Sequence, residues 1–255
     1  MHKQIILLTT SLLITFNSFA GKGRGGNPTW FDIALTGSGG TSMLTSKNMF
    51  KDTKTVTSSF AFCYGVGGKF GINFSECHEL AFNAEYFSRS QKYDIKLDSS
   101  KFSKTLYLKG IDIAMLYRFR GHESSGYVEI GPQLSLVSKA DENRDGKERD
   151  VVGQLQPKYF SGVLGFGTNI IVADAFSWTA GVRFTTSFSD MISTDGGKGS
   201  TISYPLNDTG SSKKFDGYTA FKATTVQLHT EFTFDLGYFA KASCKRGRVG
   251  FMRMR

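Results

Sequence analysis

From Phe60 to Ser75, large apolar residues alternate with small ones. Phe60, Phe62, Tyr64, Val66, Phe70, Ile72 and Phe74 share one parity, broken only by Gly68, while Ala61, Cys63, Gly65, Gly67, Gly71, Asn73 and Ser75 share the other. Successive side chains of a strand point to opposite faces, so this strand has one greasy face and one small, polar face. A sheet that turned the second face to water would normally carry many Lys and Glu there, yet Lys69 is its one charge. The pattern fits a narrow transmembrane β-barrel, with lipid outside and a lumen packed with small and polar groups.

The N-terminus is consistent with export. Lys3 precedes the apolar stretch Ile5–Phe16, and Ser18-Phe19-Ala20 gives a small-x-small cleavage pattern. We expect a signal peptide over residues 1–20, a Gly-rich lead-in over 21–28, a barrel over 29–240 and a basic tail over 241–255. No later stretch approaches the roughly 20 apolar residues of a membrane helix.

Phe at 23 and Gly at 29 residues, with only four Pro, favour strands and tight turns. The formal charge of +9 is unevenly placed. Setting aside Lys3 and the six cations of Lys241–Arg255 leaves +2, so the basicity belongs to a tail and nucleic acid is not an expected partner. Cys63, Cys77 and Cys244 are an odd number for an oxidising compartment. One disulfide with a leftover thiol is an option, but Cys63 sits mid-strand as a small packing residue, and no metal spacing is present.

Eight alternating segments are expected: Thr29–Gly37, Ser58–Ser75, Glu79–Ser90, Thr105–Arg120, Gly126–Ser138, Lys158–Val172, Phe176–Phe188 and Thr219–Phe239. Most exceed the 9–11 residues that cross a bilayer, so strands should continue past it. The connections alternate in length. Glu76–His78, Gly121–Ser125 and Ala173–Ala175 are tight, whereas Ser38–Thr57, Gln91–Lys104, Lys139–Pro157 and Ser189–Tyr218 are expected as long polar loops. Short periplasmic turns, long external loops and an even strand number place both termini in the periplasm. The expected fold class is all-β, an eight-stranded antiparallel up-and-down transmembrane barrel in the outer membrane of a Gram-negative bacterium.

The chain resembles the PorT-like outer-membrane β-barrels of Bacteroidota. The resemblance rests on Glu85-Tyr86-Phe87-Ser88-Arg89, Leu106-Tyr107-Leu108, Tyr127-Val128-Glu129-Ile130-Gly131-Pro132 and the tail Lys241-Ala242-Ser243-Cys244-Lys245. It implies architecture rather than activity, with a role in type IX-like secretion or envelope assembly as an alternative.

With the apolar parity toward lipid, the lumen receives Glu85, Asp112, Arg118, Glu129, Gln133, Arg183, Gln227, His229 and Glu231. So many charges in a narrow barrel must pair, so the expected core is an interlocked polar plug. A gated ion path is the alternative. His229 and Glu231 share a face, but a lipid-modifying enzyme would need nucleophile, base and acid clustered near a rim, and no nucleophile elbow is visible. A soluble lipocalin-like carrier would turn the nearly uncharged polar parity to water, which speaks against it. The loop Asp141-Glu142-Asn143-Arg144-Asp145-Gly146 opens like a calcium loop, but Val152 stands where the closing Glu belongs, and a solvated hairpin loop is expected. No catalytic, cofactor or metal residues are assigned. The expected partners are outer-membrane lipid, lipopolysaccharide and an envelope protein reached through the loops or the tail.

Overall fold

The computed structural model describes residues 30–51, 54–75, 77–97, 100–121, 126–173, 176–200, 203–206 and 217–238. The expected signal peptide, lead-in, tail and Cys244 lie outside the described residues. The elements are β1 (Trp30–Thr45), α1 (Lys47–Lys51), β2 (Val56–Ser59), β3 (Ala61–Ser75), β4 (His78–Leu97), β5 (Ser100–Arg120), β6 (Gly126–Arg144), β7 (Lys147–Asp150), β8 (Lys158–Val172), β9 (Phe176–Ser187) and β10 (Lys222–Tyr238), with a 3-10 turn at Val152–Gln154. Eight of these strands close a ring in the order β1-β3-β4-β5-β6-β8-β9-β10, every neighbour antiparallel and β10 returning to β1. Closure leaves the ring without an unpaired edge. Trp30 pairs with both Tyr238 and Asn73, so the first and last strands meet at the rim that carries the short turns.

The apolar parity lies outside. Ile33, Leu35, Phe70, Ile113, Leu164, Phe166, Phe184, Leu228 and Phe232 are exposed, and the charged and small residues of the opposite parity are buried. Phe119 lies eight residues beyond Ile111 on β5, a belt of about 20 Å at a strand rise near 3.4 Å and a tilt near 40°. Aromatic rings gather at the turn-side edge: Phe176 stacks on Phe232 and Trp178 on the same ring, with the Trp178 indole donating to Thr230 Oγ1 at 2.8 Å. This is the exterior of a membrane-spanning barrel, amphipathic rings at the interface included.

Three of the four long connections are not loops along their whole length. β1 runs to Thr45, β4 and β5 pair up to Leu97↔Ser100, and β6 reaches Arg144 before turning into β7. Within these extensions the chemistry inverts. On β4 the outward residues become Lys92, Asp94 and Lys96 while Tyr93 and Ile95 turn inward, and on β5 Leu106 and Leu108 are buried. On β4 and β5 the geometric alternation continues unbroken, but beyond the belt the strand's outer face meets water. The inward residues join Leu44, Val137, Ala140 and Tyr159 with Met49, Val56, Met191, Ile192, Leu206 and Phe221 from the connections, forming one apolar core inside the loop half. The calcium-like loop is a two-residue hairpin turn, with Asp145 at φ 50° and Gly146 at φ 83°. Glu142 points inward to Lys104 Nζ at 3.3 Å.

Glycine permits close strand approach at Gly67, where an added Cβ would stand 2.0 Å from the Ala84 carbonyl oxygen. The outward facing predicts that Leu164→Arg costs about 2–4 kcal/mol of folding free energy in lipid vesicles, whereas Leu164→Ala costs less. Equal urea midpoints for Leu164→Arg and the parent would place this face away from lipid.

Candidate functional site

The turn half of the lumen is filled by charge. All nine residues expected there from parity are on the inner face, and Asp32, Lys69, Asn73, Glu79, Asn83, Arg89 and Arg120 join them. The additional residues obey the same alternation, so their signal was present in the strands. Asp32, Glu79 and Arg120 lie close to strand ends, where the count of turns is hardest to fix.

Arg118 of β5 is the hub, 1% exposed. Its Nη2 donates to Glu129 Oε2 at 2.7 Å and to Glu231 Oε1 at 2.5 Å, its Nη1 reaches Glu231 Oε2 at 2.8 Å and Glu79 Oε2 at 3.4 Å, and its guanidinium lies 4.3 Å from the Tyr127 ring centre. In the ring order β5 and β10 stand on opposite sides, so Arg118–Glu231 crosses the full diameter. Arg183 of β9 donates from Nε to Glu129 Oε1 at 2.5 Å, with Glu231 and Glu85 at 3.3 and 3.5 Å. β9 and β4 also face each other across the ring. Toward the turn rim, Lys69 reaches Glu79 at 2.7 Å and Asp32 at 3.2 Å, Arg120 reaches Glu79 at 2.5 Å, and Asn73 donates to Asp32 Oδ2 at 2.6 Å. Toward the loops, Arg89 pairs with Asp112 and donates to Tyr159 Oη at 2.5 Å, while Ser135 donates to Asp112 at 2.6 Å.

His229 is fully enclosed. Its Nε2 lies 2.7 Å from Arg183 Nη1 and 2.9 Å from Glu85 Oε1, between a donor and an acceptor. Ser38 Oγ donates to Glu85 Oε2 at 3.4 Å and not to the imidazole. A nucleophilic arrangement needs the hydroxyl on the base and the acid behind it. Here the carboxylate stands between the two, deep in a lumen spanned by ion pairs, and the arrangement is one of mutual neutralisation.

Above this layer lies the apolar core, roofed by the described residues between β9 and β10, among them Met191, Ile192, Tyr204, Leu206 and Phe221. Lys104 Nζ donates to the Pro205 carbonyl at 3.0 Å and faces the Tyr204 ring at 5.6 Å. Asp190 accepts from the Ile192 and Phe221 amides at 3.1 Å each and from the Tyr218 hydroxyl. This roof had no motif to mark it: its apolar members, Met191, Ile192, Tyr204 and Leu206, are scattered through a polar stretch. Cys63 is buried within β3, and Cys77 sits at the turn between β3 and β4.

No protein-family model matches the chain, and no curated protein matches it. Among solved structures the chain is similar to neisserial surface protein A (12% identity, 79% of this chain and 95% of that chain, TM-score 0.38), to the outer membrane protein OprG of Pseudomonas aeruginosa (11%, 82% and 97%, 0.44), and to Ail, the attachment invasion locus protein of Yersinia pestis, in complex with the heparin analogue sucrose octasulfate (12%, 82% and 99%, 0.34). No residue role is carried from them to this chain.

Two outcomes are expected. Arg118→Met removes the cation shared by three buried carboxylates and should cost about 3–5 kcal/mol in urea unfolding; a loss under about 1 kcal/mol would mean that the remaining cations of the network take over its role. Burial, and then the Asp190 acceptor, raise the Tyr218 pKa above its ordinary value. A raised pKa in the folded state contributes stability below the unfolded value near 10 that is lost as pH rises past it. Hydrogen exchange of the 189–200 and 217–221 segments should therefore accelerate between pH 9 and 11 by more than the intrinsic rate increase, and Tyr218→Phe should remove that excess.

Proposed function

We propose that this chain is a PorT-like outer-membrane β-barrel of a Gram-negative bacterium, exported by a signal peptide over residues 1–20. Its role in the envelope is structural or interactive rather than catalytic. The observation that carries this reading is the pairing of an exposed apolar belt with a lumen whose ion pairs cross the diameter. The belt calls for lipid, and the ion pairs that cross the lumen fill the space a solute path would need among the described residues. Of the segments that carry the family resemblance, Glu85–Arg89 and Tyr127–Pro132 supply Glu85, Arg89, Tyr127 and Glu129 to the polar lumen or its packing. In this reading the loop end, with its long strand extensions and roof, faces outward, and both termini and the basic 241–255 tail face the periplasm. Contacts with envelope partners then fall to the loop end or the tail.

Purified full-length protein in planar bilayers should give no steady open channel. Reproducible large single-channel steps would replace the structural reading with a porin.

A further inference from the structure

Where the apolar belt ends on the loop side, three lysines stand on adjacent staves of the outer face. Lys109 of β5 pairs in register with Lys139 of β6, and Lys158 of β8 pairs with Leu136, three residues before Lys139 on β6. Each stands near an exposed apolar residue on its own strand, Ile111, Leu136 and Phe160 respectively. Like charges directly opposite each other in a ladder are destabilising, so the Lys109–Lys139 pair calls for a counter-charge.

The local backbone is shaped to produce it. Outward residues of β6 are even-numbered through Leu136, and an uninterrupted strand would turn Lys139 inward. The register shift between Lys109 and Gly110 makes Ser138 an extra residue, and both Ser138 and Lys139 emerge on the outer face. The Ser138 hydroxyl donates to the Lys109 carbonyl at 3.1 Å and fixes the bulge, while the Val137 amide donates to Pro157 O at 2.8 Å and docks the start of β8 alongside. Bulges commonly re-aim a side chain, and this one delivers a cation to a cation. Asp141 lies 2.7 Å from Lys139, and Glu148 and Asp150 of β7 stand on the far side of it, so the acids gather at Lys139. Farther up the same face, Lys96 stands opposite Lys101, and Lys92 has Asp94 at 3.9 Å.

We propose that Lys109, Lys139 and Lys158 form a docking site for the phosphorylated headgroup of an outer-leaflet glycolipid whose acyl chains lie on the belt below. This proposal rests on the outer-membrane reading and adds a site to it. Lysine suits phosphate as a strong, compact charge on a flexible stem. The exposed Tyr107, Phe160 and Leu136 beside the lysines supply the amphipathic floor that a lipid needs at the interface.

The test uses full-length protein in detergent micelles, with lipid retention read by native mass spectrometry. Bis-phosphorylated lipid A, monophosphoryl lipid A, phosphatidylglycerol and inorganic phosphate are added separately. The parent should retain bis-phosphorylated lipid A most strongly and inorganic phosphate least. Lys109→Gln/Lys139→Gln/Lys158→Gln should lose about a hundredfold in lipid A affinity at low salt, given roughly fivefold per lysine, whereas Lys198→Gln/Lys222→Gln should match the parent. Insertion of each variant into vesicles is measured in parallel. Failure of the parent to insert would sink the outer-membrane reading itself. With insertion intact, the site is overturned by a triple variant that binds lipid A like the parent, by equal loss in the control, or by a parent that prefers phosphatidylglycerol or inorganic phosphate.

Discussion

A buried guanidinium cannot shed its charge, and Arg118 is enclosed on all sides, so carboxylates must be brought to it from wherever the barrel can supply them. Glu79, Glu129 and Glu231 arrive from three different strands, one of them diametrically opposite. Each of these acids is in turn shared: Glu129 with Arg183, Glu79 with Lys69 and Arg120, Glu231 with Lys69 and Arg183. Such a network is consistent with only one strand register, because a slip of one residue would send every one of these groups into lipid. The desolvation of so many ions yields little net stability by itself. Its effect is specificity: it fixes which staves are neighbours and how the ring closes, and it occupies the lumen in doing so.

The turn half of the molecule was legible in the chain. Parity alone assigned Phe70, Ile113, Leu164 and Phe184 outward and Glu85, Arg118, Glu129, Arg183 and His229 inward, because one rule, lipid outside and polar inside, holds along that whole span. Partners were not legible. That Arg118 meets Glu231 depends on the diameter and on closure, which no local pattern records. The loop half was misread as loops because the rule reverses there. In Gln91–Lys104 the apolar members Tyr93 and Ile95 continue the inward positions of the strand, but inward had been the polar side. A reading that allowed the apolar phase to flip once per strand would have found these extensions, and the position of the flip would have marked the end of the belt.

That flip divides the barrel between two solvents. Below it the protein is inside-out, with polar groups enclosed and apolar groups outside. Above it the arrangement is that of a water-soluble domain, with an apolar centre under a roof that Asp190 and Lys104 tie down. The seam between the halves is where an outward side chain must satisfy both media, and long cationic side chains with apolar stems meet that requirement. Lys109, on a strand between Tyr107 and Ile111, sits on the seam itself.

The enclosed apolar centre of the loop half also carries a thermal consequence. Exposure of apolar surface to water raises heat capacity, whereas exposure of polar surface lowers it. Loosening the roof uncovers Met191, Ile192, Leu206 and Phe221, whereas opening the turn half uncovers ions. The first process has a curved free-energy profile that weakens on cooling, and the second has a flatter one. The two ends of a single closed sheet therefore have different temperatures of greatest rigidity, and in the cold the loop end softens first.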